Sequence, residues 1–151
     1  MLSFFQKRMR DDKGFTLIEL MVVVLIIAIL IAIAIPTFLG LRTRSQNRAA
    51  QSNLRNALTA AKSFYTDSET YTPAAGNFNA ADGAATEPSL TWNDAAASVA
   101  GEVSVRGVTA TTVVLVTESA SGSNFCLYDS NGTTGYGDDD AANVAACAGG
   151  W

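Results

Sequence analysis

The sequence predicts an α+β fold: one long N-terminal helix, then an antiparallel sheet of three or four strands packed on the second half of that helix. Three observations carry this reading. Phe15 to Ile35 is a run of 21 residues with a single charge, Glu19. Ala50, Leu54, Ala57, Leu58, Ala61, Phe64 and Tyr65 then recur at three- and four-residue spacing, the period of one helix face. From Glu102 onward the pattern turns to alternation and β-branched runs, the mark of strands.

Each segment has its own reason. Residues 1–14 form a short basic leader, with Lys7, Arg8, Arg10 and Lys13 against Asp11 and Asp12, a net charge of +2. Basic flanks of this kind stay on the cytoplasmic side of a membrane span. Residues 15–66 read as one helix, apolar over 15–35 and amphipathic afterwards. At about 1.5 Å per residue the apolar part spans roughly 31 Å, one bilayer core. Pro36 removes a backbone donor and frees the carbonyl near Ala32, which predicts a kink or a melted segment around Ala28–Pro36. Gly40 is a second weak point. An ordinary secretory signal, cleaved after Ala32-Ile33-Ala34, fits poorly, because the apolar run is too long and holds a Glu.

Residues 67–101 are rich in Ala, Thr, Asn, Gly and Pro, with little periodicity. They read as a long surface connection with one short helical turn near Asp94–Ser98, and a connection of that length is commonly interaction surface. Residues 102–151 make the sheet and a C-terminal region. Glu102–Arg106 alternates, and Thr111–Thr117 is the strongest strand. Ser121-Gly122-Ser123 is a turn before Asn124–Tyr128, and Asn131-Gly132 is a two-residue hairpin signal leading into Thr133–Tyr136.

Composition bounds the function. The 151 residues allow one domain plus an appendage. Net charge is −4, unevenly spread: from residue 66 on, Arg106 is the only basic side chain, against eleven acids. That region is a poor direct binder of a nucleic-acid backbone. There is no His, which removes the commonest general base and metal ligand. With two Cys and no His, zinc thiolate sites and Cys/His nucleophile pairs have no basis, and no catalytic constellation supports an enzyme.

The chemistry concentrates at the start of the helix. Lys13-Gly14 is followed by Phe15-Thr16-Leu17-Ile18-Glu19-Leu20 and the unbroken apolar run, with Pro36 further along. This string resembles the type IV pilin family and its relatives, the pseudopilins of type II secretion, over roughly residues 7–65. The resemblance implies cleavage between Gly14 and Phe15 by a prepilin peptidase, N-methylation of Phe15, and the type IV pilin fold. It also implies assembly on a platform in the cytoplasmic membrane. The chain would be a single-pass membrane precursor, in contact with lipid, and then an extracellular pilus subunit on the cell surface. Its main partner would be itself, in a helical homopolymer. A major pilin, serving adhesion, twitching motility or DNA uptake, is the leading expectation; a major pseudopilin is the alternative. A plain membrane anchor leaves the Gly-Phe-Thr-Leu-Ile-Glu string unexplained.

Physical chemistry gives Glu19 the same role. A carboxylate inside a membrane helix costs about 2.5–3.5 kcal/mol on insertion scales, so it needs a partner or a purpose. After cleavage, Phe15 carries a positive α-amine one turn from Glu19 on the same face. In parallel helices offset along their axes, Glu19 of one subunit meets the Phe15 amine of a neighbour. Pairing removes two unpaired charges from an apolar setting and sets axial register. Arg42, Arg44 and Arg48 then follow the span, placed to meet lipid headgroups, acidic neighbours or solvent.

Two features sit near the C-terminus. Cys126 and Cys147 form a disulfide if the domain lies outside the cytoplasm; two buried thiols are the rival. In the resembled family such a bridge bounds a variable surface loop. Asp138, Asp139 and Asp140, with Asp129 nearby and glycines between, are weak candidates for calcium, the only cofactor considered; the plain alternative is a solvated acidic loop. Asn131-Gly132-Thr133 is also a glycosylation sequon, a triplet that arises often by chance. Reversing the charge at Glu19 (Glu19→Lys) is expected to block filament formation while membrane insertion and leader cleavage persist. Normal filaments from that variant, counted in sheared-cell fractions, would refute the register argument.

Overall fold

The computed structural model describes residues 14–74, 76–95, 98–147 and 149–151. The charged leader residues, Lys7 to Lys13, lie outside them. The elements run α1 (Leu17–Ser68), α2 (Ala80–Thr86), β1 (Thr91–Asn93), β2 (Glu102–Thr109), β3 (Thr112–Glu118), β4 (Asn124–Ser130) and β5 (Thr133–Gly137). The fold is α+β with the helix leading the chain, as the sequence predicts. The chain divides into two compact units, Met1–Gly40 and Leu41–Trp151, and each is described by itself.

In the first unit α1 is apolar on every side, and its large side chains from Leu17 to Leu39 are all exposed. The helix is unbroken through Pro36, so of the kink or melted segment expected over Ala28–Pro36 the melted one is not found. One proline removes a single backbone bond, and the flanking turns keep theirs. The Thr37 hydroxyl also donates to the Ile33 carbonyl at 3.2 Å, beside the gap.

In the second unit the remainder of α1 is amphipathic. Ala50, Leu54, Ala57, Leu58 and Ala61 are buried against Val103, Val105, Val113, Leu115, Phe125 and Leu127. Small residues on the helix let it approach the sheet closely, while the strands supply the branched bulk. Asn47 fastens the start of this contact: its side-chain oxygen accepts from the Ser119 hydroxyl at 2.8 Å and from the Ser121 hydroxyl at 2.5 Å. The predicted Ser-Gly-Ser turn is thereby tied to the helix.

The sheet has five strands in sequential order, not three or four. β2 to β5 form the expected antiparallel meander, but β1 pairs parallel to β2, so the sheet is mixed. β1 falls in the stretch expected to be a loop. Three residues are too few to show alternation, and tertiary contacts hold the strand instead. Trp92 packs edge-on to Phe78, with ring centroids 6.2 Å apart, and donates from its indole nitrogen to the Glu87 carbonyl at 3.1 Å. α2 was likewise not expected. Asn79 caps it by accepting from the backbone of Ala81 and Asp82, and Asp82 accepts in return from the Asn79 backbone. Much of the helical turn expected near Asp94–Ser98 lies outside the described residues. The connection is also less superficial than its composition implies, because Tyr71 and Phe78 are fully buried in the core.

β3 is buried on both faces. Val113 and Leu115 face α1, whereas Val114 and Val116 face Ala141 and Cys147 in the C-terminal tail. A strand covered on both sides reads as a continuous apolar run, which is what Val113–Val116 shows. The tail approaches β2 closely at Gly107, where φ is +49° and a Cβ would lie 2.8 Å from the Ala142 carbonyl oxygen. The hairpin between β4 and β5 turns at Asn131 and Gly132, both with positive φ (51° and 77°), the geometry that Asn-Gly favours.

A carboxylate is buried in the α1-facing layer, where Thr117 is buried as well. Asp129 on β4 is 5% exposed. It pairs with Lys62 of α1 at 3.1 Å and accepts from the Tyr71 hydroxyl at 3.0 Å. Helix, connection and sheet are therefore joined through one carboxylate. Burial, and then the bond to Asp129 and its charge, push the Tyr71 phenol above its ordinary range. A raised phenol pKa means that the folded state holds this proton more tightly than the unfolded state. The resulting stability is full below about pH 10, the ordinary phenol value, and is lost as pH rises above it. The unfolding midpoint is expected to fall more steeply above that pH in the wild type than in Tyr71→Phe, measured by alkaline thermal melts in detergent. Parallel curves for the two proteins would refute the assignment.

Candidate assembly motif at the helix N-terminus

Gly14, Phe15 and Thr16 precede the first helical residue, Leu17. Gly14 is exposed, its φ lies outside the left-handed region, and no atom lies within 4 Å of where a Cβ would stand. Neither backbone conformation nor packing in the chain requires glycine there. Phe15 is 87% exposed, so its ring makes no core.

Glu19 is engaged within its own chain. Its Oε2 accepts from the Thr16 backbone N–H at 2.8 Å and from the Thr16 hydroxyl at 2.8 Å. The Thr16 hydroxyl oxygen accepts in turn from the Glu19 backbone N–H at 3.2 Å. This is a reciprocal capping box, with Thr16 as the N-cap and Glu19 three residues on. Free backbone donors at a helix start are costly in an apolar setting, and the box satisfies them. The role of Thr16 was missed in the sequence, although the pattern Thr-x-x-Glu ahead of an apolar run announces it. Both side-chain bonds fall on Oε2; among the described residues Oε1 accepts none.

The helix that follows is long and apolar enough to cross a membrane, and none of its most apolar 18-residue window is buried within the chain. Pro36 lies within α1, with its neighbours Ile35 and Phe38 exposed.

The C-terminal expectations resolve differently. Cys126 and Cys147 are joined in a disulfide, with Cα atoms 5.8 Å apart. Cys126 lies on β4 and both Cys pack with Val114 and Val116, so the bridge ties the tail over the sheet face opposite α1. The four aspartates do not converge. Asp129 is on the α1 side, held by Lys62 and Tyr71. Asp140 pairs with Arg106 at 3.0 Å, and Arg106 stands opposite Val114 in register, on the tail side. Among the described residues no three His, Cys, Asp or Glu side chains group to hold a metal ion.

A known family matches the same motif. Residues 9–35 match the family described as the prokaryotic N-terminal methylation motif. The chain is 52% identical over 60 residues to the type IV major pilin protein PilA of Myxococcus xanthus, covering 40% of this chain and 27% of that one. It is 42% identical over 64 residues to the type IV wide pilus major component PilA4 of Thermus thermophilus, covering 42% and 49%. A fimbrial protein of Pseudomonas aeruginosa is 53% identical over 55 residues, 36% of each chain. The matched stretch thus spans less than half the length of each of these relatives. No solved structure matches the chain. These relatives are pilus and fimbrial proteins, and the likeness to them covers less than half of this chain.

The cap makes a local prediction. Thr16→Ala is expected to cost about 1 kcal/mol at the helix end. The readout is faster amide exchange at Leu17 to Glu19 in detergent micelles, with exchange beyond Val24 unchanged. Unaltered exchange at the first turn would count against the cap.

Proposed function

We propose that this chain is the precursor of a structural subunit, a major pilin, of a type IV pilus. The observation that carries the reading is the helix from Leu17 to Leu41, whose large apolar side chains are exposed on every side. A helix apolar all round is stable only when lipid or other helices cover it. Before assembly the cover is the cytoplasmic membrane; after it, the parallel helices of neighbouring subunits.

The motif supplies the chemistry of the exchange. A membrane-embedded prepilin peptidase cuts between Gly14 and Phe15, and the new α-amine of Phe15 is methylated. That Gly14 meets no demand from the chain's own fold supports recognition by an outside enzyme. Glu19 keeps its bonds to Thr16, and Oε1 remains to accept from the Phe15 amine of a neighbouring subunit. The capping box holds the carboxylate in one orientation, so the neighbour's ammonium meets a fixed acceptor. The printed names of the relatives are those of pilus components, which supports a pilus over a secretion pseudopilus. An acidic C-terminal loop would favour the pseudopilus, but Asp140 is engaged with Arg106. Extension, attachment and retraction of such a fibre on the cell surface would serve adhesion, twitching motility or DNA uptake.

The test is to shear cells that make this protein, collect surface filaments, and determine the N-terminal peptide by mass spectrometry. Filaments of this chain beginning at N-methylated Phe15 are expected. A processed chain confined to the membrane would instead point to the pseudopilus, and a soluble product beginning after Ala34 would overturn the reading.

A further inference from the structure

Between Leu41 and Thr66 the chain carries five basic residues and no acid; from Asp67 on it carries eleven acids and one Arg. Four of the five cations fall in one row. At about 100° per residue, Arg44, Arg48, Arg55 and Lys62 lie within roughly 40° of each other around α1. The two nearer the C-terminal end are engaged in their own domain. Lys62 pairs with Asp129, and the Arg55 guanidinium lies 4.8 Å from the centre of the Trp151 ring. Arg44 and Arg48 are exposed and continue the row without an ion pair among the described residues.

The far end of α1 shows the opposite imbalance. Asp67 lies in the last helical turn, which has no basic residue. A carboxylate there faces the negative end of the helix dipole, and a cation is what that position favours. Glu69 follows with φ at +55° and donates its N–H to the Tyr65 carbonyl at 2.6 Å. That left-handed position after a helix is one where glycine is usual and a charged, longer side chain is not. Both acids are exposed, and neither has an ion pair among the described residues. The local structure gives no reason for two carboxylates at this helix end.

We infer that Arg44 and Arg48 of one copy dock on Asp67 and Glu69 of a second copy of the same chain. This rests on the reading of the chain as a filament subunit. The two charge pairs are separated by about 22 residues along α1, roughly 33 Å at the helical rise. Parallel copies offset axially by that distance bring the basic start of one domain onto the acidic helix end of the other. The contact is heterologous, so it repeats along a fibre rather than closing a dimer. Complementary charge at this step selects partner and register, and opposes contacts between like ends. It is distinct from the Glu19 pairing, which acts between the apolar helices.

The experiment compares four forms of the full chain in an assembly-competent host: wild type, Arg44→Glu with Arg48→Glu, Asp67→Arg with Glu69→Arg, and all four changes together. Sheared filaments and the processed membrane pool are both quantified. Each two-residue reversal is expected to lower filament yield by about tenfold or more, because like charges then face each other. The membrane pool persists, and the fourfold exchange restores filaments. A second measurement avoids reversed charge: Arg48→Cys combined with Glu69→Cys should give a ladder of cross-linked subunits in filaments, absent from either single variant. Normal filaments from the two-residue reversals, or no recovery in the fourfold exchange, would overturn the inference while leaving the filament reading intact. Loss of the Arg44/Arg48 variant from the membrane pool would assign these arginines to lipid phosphates instead, which also overturns it. Wild-type cells without any filament of this chain would remove the filament reading, and this contact with it.

Discussion

A helix with no polar face is the constraint on which this protein depends. From Leu17 to Leu41 α1 offers large apolar side chains in every direction, and they stand exposed. Burying one such side chain is worth about 1.5–3 kcal/mol. A dozen or more of them exceed the whole net stability of an ordinary domain. The first unit is therefore a structure only in the company of lipid or of other helices. Its polar features have to be read in that setting. Thr16 and Glu19 settle the helix start locally, by a capping box rather than by solvent. An apolar environment strengthens such bonds and makes their absence expensive.

Beyond Gly40 the same element answers to a different rule. It keeps one apolar face, built of Ala and Leu, and gives the rest to Arg, Asn, Thr and Ser. The sheet that covers this face is covered on its other side by the C-terminal tail. The tail is held by the Cys126–Cys147 bridge, by the Arg106–Asp140 pair and by Trp151, whose indole N–H donates to the Cys126 carbonyl at 3.2 Å. Most of the acidic excess of the domain stays on the outside, and only Asp129 is drawn in, where it has Lys62 and Tyr71. Asp129 is drawn in with a charged partner on Oδ1 and a hydroxyl donor on Oδ2; either partner alone would leave the carboxylate costly. This arrangement also fixes which cations remain available: Lys62 and Arg55 are spent inside the domain, and Arg44 and Arg48 are not.

The unequal legibility of the chain has a physical cause. Local patterns were readable wherever one period ran long enough. The apolar run, the three-and-four spacing from Ala50 to Tyr65, the strands β2 to β5 and the Asn131-Gly132 turn all appear in the fold. The Gly14–Glu19 string was readable as a motif, and the matching family covers it. The capping role of Thr16 is written as Thr-x-x-Glu, but the charge of Glu19 masks it, because the same carboxylate also reads as an assembly group. At Pro36 one missing hydrogen bond does not melt an Ile-rich helix whose other bonds are intact.

By itself, then, the sequence determined the leading helix and the order of β2 to β5, the apolar span, the segregation of charge and the N-terminal motif. Each depends on neighbours within a few residues or on simple counts. Only the tertiary structure decided that β1 joins the sheet and runs parallel to β2, that Tyr71 and Phe78 leave an apparent loop for the core, and that Asp129 and Asp140 part to opposite faces. The reason is common to all three. A three-residue strand, a lone aromatic in a polar stretch and a carboxylate in an acidic run carry no period of their own. Their places are set by contacts across many tens of residues, such as the one between Tyr71 and Asp129, which no local pattern encodes.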